Sequence, residues 1–136
     1  VRKWDPPPGG AIDYSEPEAA IRELCARYNV IEVMYDPYQL HDLATRLGRE
    51  LLIWFTEFPQ TTQRLTADKT LYDLIRDRRI SHDGNPDLRQ HIANANAKLE
   101  KEQDSKLRIV KKTQNRKIDL AVALSMACWE CLRLLL

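Results

Sequence analysis

Val30-Ile31-Glu32-Val33-Met34-Tyr35, closed by Asp36-Pro37, is the stretch on which the fold turns. It is β-branched and nearly all apolar, so it reads as a central strand buried on both faces. Asp36-Pro37 is a turn signal that stops it. Leu40, Leu43, Ala44 and Leu47 then recur at helical spacing. Gly48 falls where a left-handed residue closes a helix. Leu51 to Phe55 is a second apolar run of strand length. A helix between two such runs is a βαβ unit, which favours a parallel pair with a right-handed crossover. The class is α/β.

Upstream, Pro6-Pro7-Pro8-Gly9-Gly10 is a loop, because proline removes backbone donors and glycine restores freedom. Ser15 and Glu18 have capping-box spacing. They predict a helix with Ala20, Ile21, Leu24, Cys25 and Tyr28 on its apolar face, ending at Asn29. Downstream, Pro59-Gln60-Thr61-Thr62 leads into a helix carrying Leu65, Leu71, Tyr72 and Ile75, ending near Arg78-Arg79. Asn85-Pro86 is an N-cap followed by proline at the first helical position. Leu88, His91, Ile92 and Ala95 give that helix its stripe. Lys98 to Lys117 is charge-rich and reads as a β-hairpin or ordered loop, with a turn near Gln103-Asp104-Ser105 and a short strand at Leu107 to Val110. A final helix runs from Ile118 to the C-terminus. No repeat or domain boundary is visible, so residues 1–136 are expected to form a single domain.

Composition bounds the function. The chain has 136 residues, 43% hydrophobic and 30% charged, with 4 Gly and 7 Pro, which excludes a collagen-like or wholly disordered protein. The net charge is only +1, so any polyanionic partner must be met by a local patch. Three cysteines cannot all pair within one chain, which argues against a secreted disulfide framework. The longest apolar stretch, Leu120 to Trp129, is interrupted by Ser125 and falls short of the roughly 20 residues that span a membrane. No signal peptide is apparent, and the opening at Val1 without Met is expected of a piece of a longer chain.

Two acids and one basic run stand out. Asp36 follows the best strand, and ligands of open α/β sheets gather at the carboxyl ends of strands. Equally, Asp36-Pro37 is ordinary turn or N-cap chemistry. Asp119 opens a strongly apolar helix and is the only acid among Lys106–Met126. The positive helix end keeps such a carboxylate ionised, as a hard cation requires. The same acid can simply complement the dipole. Before it come Lys106, Arg108, Lys111, Lys112, Arg116 and Lys117 with no acid between them, a stretch able to contact phosphates or merely to be solvated. Cys128 and Cys131 have CxxC spacing inside a helix, without the second pair a zinc ribbon needs. They are expected to be reduced and packed in the core with Leu124 and Ala127. His41, His82 and His91 form no zinc-protease motif, and His91 reads as a satisfied core histidine. No GxxxxGK[ST], GxGxxG or GxSxG occurs, which excludes ATP hydrolysis through a P-loop within this stretch.

Five segments occur in a telling order: Tyr35-Asp36-Pro37-Tyr38-Gln39, Glu57-Phe58-Pro59-Gln60-Thr61, Leu71-Tyr72-Asp73-Leu74-Ile75, Leu88 to Ala95 and Arg116 to Leu124. In that order they resemble the C-terminal nuclease domain of the large terminase subunit of tailed phages and prophages. The resemblance covers nearly the whole chain. It implies an RNase H-like mixed sheet flanked by helices, with carboxylates from separate segments holding two divalent ions, Mg²⁺ or Mn²⁺. It also implies cutting of concatemeric phage double-stranded DNA in the host cytoplasm. The partners would be an ATPase motor domain of the same protein, a small terminase subunit and a portal. Asp36 matches the family's acid after the fourth strand, and Asp119 the acid near the start of the last helix. Lys111 or Lys112 matches a basic residue before that last acid. Glu57, His82, His91 and Asn94 lie in matching segments, with no chemistry assigned to them. The family's opening strand, with its first metal-binding acid, is expected upstream of Val1. The resemblance therefore implies weak metal binding and poor cutting by this stretch alone. Two rivals remain: an inert prophage remnant or interaction module on an RNase H-like core, and a zinc protein built on the CxxC.

Overall fold

The computed structural model describes residues 1–99 and 106–134. Along them run helices α1 Ser15–Arg27, α2 His41–Leu51, α3 Thr62–Arg76, α4 Pro86–Ala93 and α5 Asp119–Arg133. The strands are β1 Glu32–Tyr35, β2 Trp54–Glu57, β3 Ala95–Leu99 and β4 Leu107–Lys111. The class is mixed α/β. Among the described residues the strands form two two-stranded sheets, β1 with β2 and β3 with β4. The chain divides into two compact units, Arg2–Glu57 and, together with Val1, the chain from Phe58 onward.

In the first unit β1 and β2 pair in parallel across α2, with Glu32 opposite Trp54 and Tyr35 opposite Glu57. The βαβ reading holds. Burial does not follow it: only Tyr35 of β1 is buried, and Ile31 lies outside the strand and exposed. A two-stranded sheet has no interior strand, so an apolar run cannot be covered as a central one would be. The second strand also starts late, because Leu51 still belongs to α2. Gly48 sits inside that helix, where an added Cβ would lie 3.5 Å from the Ile53 carbonyl and from Phe55. Leu52 instead takes the left-handed position, with φ 55 and 90% exposure.

The expected capping box is absent, for an electrostatic reason. Tyr14 is the N-cap of α1, and no side chain bonds in the cap position. The Ser15 N–H donates to Asp13 Oδ1 at 2.9 Å. Hydrogen bonds from Ser15, side chain first and backbone second, hold the Asp13 carboxyl below its ordinary value. Glu18 turns away to α2, where Arg46 donates to it at 2.5 and 3.0 Å, while Arg22 donates at 2.9 Å from α1 itself. The bond from Arg46, then that from Arg22, pulls the Glu18 carboxyl down to about 2. Arg22 also pairs with Glu50, so the two helices are laced by charge more than by apolar contact. Of the predicted apolar face of α1 only Ala20 is buried.

The second unit packs α3 against α5 and β4, and α4 against α5. Its core holds Phe58, Ala67, Leu71, Leu88, Leu107 and Ala121. Asn85 caps α4 as its sequence predicts, accepting the Leu88 N–H at 3.0 Å ahead of Pro86 in the first turn. The helix stops sooner than its stripe suggests: Ala95 already opens β3, opposite Lys111 in an antiparallel hairpin. The turn expected at Gln103-Asp104-Ser105 lies outside the described residues.

At the end of α3 the Arg79 N–H reaches the Leu74 carbonyl at 2.8 Å and the Arg78 N–H the Ile75 carbonyl at 3.1 Å. These are the two bonds of a Schellman motif, with Arg78 (φ 55) where glycine is usual.

A buried polar network decides how α5 is turned. Asp68 on α3 is fully buried. It accepts Arg64 Nε on both oxygens at 2.8 Å, the Ile109 N–H of β4 at 2.9 Å and the Ser125 hydroxyl of α5 at 2.6 Å. The serine that interrupts the longest apolar stretch is thus the residue that faces inward, with Ala121, Met126 and Glu130. Leu124 and Cys128 are half-buried, and Ala127 and Cys131 are exposed, which corrects the core role expected for that stripe. None of the three cysteines is in a disulfide. Among the described residues no helix is long and apolar enough to cross a membrane.

Candidate metal and nucleic-acid site

In the first unit, the parallel register sets the chemistry at the carboxyl ends of both strands. Tyr35 and Glu57 are partners in the last row of β1 and β2. Asp36 follows Tyr35 immediately, and its Oδ1 accepts the Tyr38 N–H at 3.0 Å. That bond makes Asp36 the first residue of an Asx-type turn, leaving its second oxygen to other work. Glu57 Oε1 lies 2.9 Å from His41 Nδ1 and 3.4 Å from the Tyr35 hydroxyl. A carboxylate only accepts, so the Nδ1 nitrogen and the tyrosine oxygen carry the hydrogens in this cluster. Burial, then the nearby charge of Glu57, pushes the Tyr35 hydroxyl up. His41 enters from the first turn of α2, a link that chain spacing alone does not reveal.

In the second unit, Asp119 is exposed in the first turn of α5, whose N-cap Ile118 offers no side-chain bond. The orphan amides of a helix start need acceptors from elsewhere. Buried His91 of α4 supplies one: its Nδ1 accepts the Leu120 N–H at 3.0 Å, so that nitrogen carries no proton there. His91 is the satisfied core histidine the sequence predicts. One turn on, buried Asn94 donates Nδ2 to the Lys117 carbonyl at 2.9 Å and accepts from Gln90 Nε2 at 3.0 Å and Arg116 at 3.3 Å. Its own carbonyl accepts the Lys112 N–H at 2.9 Å. His91 and Asn94, at i and i+3 on one helix face, thus hold the backbone on both sides of Asp119. Their spacing was the available signal for this; the partners, 29 and 23 residues away, were not.

The predicted basic residues divide by environment. Lys111, Lys112, Arg116 and Lys117 are exposed, and Asn94 fixes the backbone of Lys112 and Lys117 beside Asp119. Lys106 is half-buried. Arg108 is half-buried as well, donating to the Gln60 carbonyl at 2.9 Å, with its Nε buried and without a partner. Asp36 and Asp119 belong to different units. Both offer carboxylate oxygens, the donor type that a hard divalent cation takes. Among the described residues no group of three or more His, Cys, Asp and Glu side chains is assembled into a metal-holding cluster.

The described geometry is an α/β scaffold with a strand-end acid and a helix-start acid, the second beside a basic hairpin. The family profile of the terminase large subunit, endonuclease domain, matches residues 3–134, and the chain belongs to that family. It is also similar to the Gene 13 protein of Mycobacterium phage L5, with 26% identity over 91% of this chain. The Gene 13 protein of Mycobacterium phage D29 is 27% identical over the same share. The chain spans only 23% of the length of each of these relatives. No solved structure matches it.

Proposed function

We propose that this chain is the metal-dependent DNA-cutting domain of a phage packaging terminase, built on an RNase H-like core. In this reading Asp36 and Asp119 hold Mg²⁺ or Mn²⁺, which when bound polarises the scissile phosphate and lowers the pKa of a coordinated water. The chain's own residues do the rest. The Tyr38 N–H orients the Asp36 carboxylate, and His91 and Asn94 orient the helix start that carries Asp119. Lys111, Lys112, Arg116 and Lys117 offset the charge of duplex phosphates near Asp119, with Lys106 and Arg108 at the start of β4 in the same hairpin. The observation that carries the reading is the exposed Asp119 carboxylate on a backbone fixed from both sides, next to four exposed cations. The full protein would join this domain to an ATPase motor and work with a small subunit and a portal in the host cytoplasm.

The test is a Mn²⁺ titration of wild type, Asp36→Asn and Asp119→Asn, with circular dichroism to verify folding. Loss of binding in both folded variants supports the reading. Identical behaviour of all three refutes it, and favours an inert module that has kept the same core. Duplex binding across a salt series tests the basic hairpin. Lys111→Ala with Lys112→Ala should weaken binding to unrelated sequences alike and lower the salt slope by about one to two. Unchanged affinity at every salt concentration would remove the hairpin from the DNA path.

A further inference from the structure

In the second unit, the end of α3, the loop that follows, α4 and one turn of α5 enclose a cleft of about 440 Å³. Its walls are Ile75, Ile80, Leu88, Ile92 and Leu124, and its lip carries Arg78 and Arg89. Both arginines are exposed, and neither makes an ion pair among the described residues. Of the acids close to Arg78 in the chain, Asp73 pairs with Lys69 and Arg76, Asp77 pairs with Arg76, and Asp83 accepts the Asn85 N–H at 3.0 Å. Arg78 is marked again by its backbone, which is left-handed where glycine would be unstrained.

A phosphate backbone is met by charge and has no use for an apolar cleft. Two unpaired guanidinium groups at the mouth of such a cleft suit an apolar side chain flanked by carboxylates. From Leu124 the surface continues along α5 through Ala127, Cys128 and Cys131, the outward stripe at helical spacing. We propose that this groove docks an acidic amphipathic helix of a partner protein. Its apolar residues sit against Ile75, Ile92 and Leu124, and its carboxylates pair with Arg78 and Arg89. The inference does not depend on the nuclease reading, since it uses none of the residues assigned there.

The experiment pans a displayed library of helix-forming peptides, each about 15 residues long, against the immobilised 136-residue chain. Selected peptides are then measured by fluorescence anisotropy. The expected winners carry Leu, Ile or Phe at i, i+3 or i+4 with Asp or Glu alongside. Their affinity should fall about tenfold in Arg78→Gly and in Arg89→Ala, and be lost in Leu124→Glu. Arg78→Gly should also raise the melting temperature by about 3 °C, so its weaker binding cannot come from a damaged fold. Winners without that pattern, or winners that bind both arginine variants undiminished, would overturn the proposal. So would a duplex whose binding falls as far as the peptide's in the same variants, since the arginines would then belong to a DNA surface.

Discussion

Asp68→Asn keeps the volume of a fully buried side chain and removes its charge. In the wild type both carboxylate oxygens face donors only: Arg64 Nε, the Ile109 N–H and the Ser125 hydroxyl. The amide turns one of those oxygens into a donor aimed at donors and leaves the Arg64 charge without its counter-ion. Breaking a buried ion pair from one side costs about 3–5 kcal/mol. Arg64 retains Gln60 Oε1 at 2.7 Å and the Ile109 carbonyl at 3.4 Å, which places the cost at the lower end. A loss of about 3 kcal/mol is a large part of the roughly 5–15 kcal/mol that holds a domain together. It corresponds to a melting temperature lower by about 10 °C. Urea denaturation followed by far-UV circular dichroism measures it, with Arg64→Met and the double variant completing a cycle. Removing both charges should cost less than the sum of the single changes, with a coupling of at least about 1 kcal/mol. An Asp68→Asn loss below about 1 kcal/mol, or single effects that add within about 0.5 kcal/mol, would refute the network as the tie between α3, β4 and α5.

Leu52→Gly should stabilise the chain by about 0.5–1 kcal/mol in the same assay, because Leu52 is exposed and left-handed and the relief exceeds glycine's entropic cost. The bond from Arg46 holds the folded Glu18 carboxyl at about 2, against 4.5 as its ordinary value. The unfolded chain therefore takes up this proton first as pH falls, and the stabilising effect of Glu18 is complete above about pH 5 and disappears towards pH 2. Melting temperatures of wild type and Glu18→Gln should differ at neutral pH and converge in that acid window; a gap that persists at the acid end would contradict the pairing with Arg46. Iodoacetamide should label exposed Cys131 faster than Cys128, whose thiol is pushed up by burial and then by the neighbouring Cys131. Mass spectrometry of partially labelled protein reads the order.

What could be read from the sequence was local. Asn85-Pro86 announces its helix because a cap is made with residues three positions away, and the βαβ unit announces itself through two apolar runs and the helix between. Features settled by distant partners were out of reach. Nothing in the local pattern marks Asp68; its partners Ile109 and Ser125 come from two other elements. The stripe Leu124, Ala127, Cys131 is more apolar than the buried face, which carries Ser125 and Glu130; the Ser125 hydroxyl bond to Asp68 ties that polar face inward. Ser15 and Glu18 have the spacing of a cap, yet two arginines outbid a backbone amide for the carboxylate. Asp36 and Asp119 were visible as candidates because each stands at the end of an element. The supports of Asp119, His91 and Asn94, were visible by their spacing and their matching segments, but their partners at Leu120 and Lys117 were not.

One feature of α5 reaches beyond stability. The helix is fastened at Leu120 by His91 and at Ser125 by Asp68. At 1.5 Å per residue those points lie about 7–8 Å apart along its axis. A rod held at one point can pivot; held at two, it cannot swing its end. Asp119 sits one residue beyond the outer fastening, so the remaining freedom of its carboxylate is rotation about its own side-chain bonds. Any group that ligates there meets an oxygen already brought to its place by folding, and loosening either bolt should blur that position before it unfolds the chain.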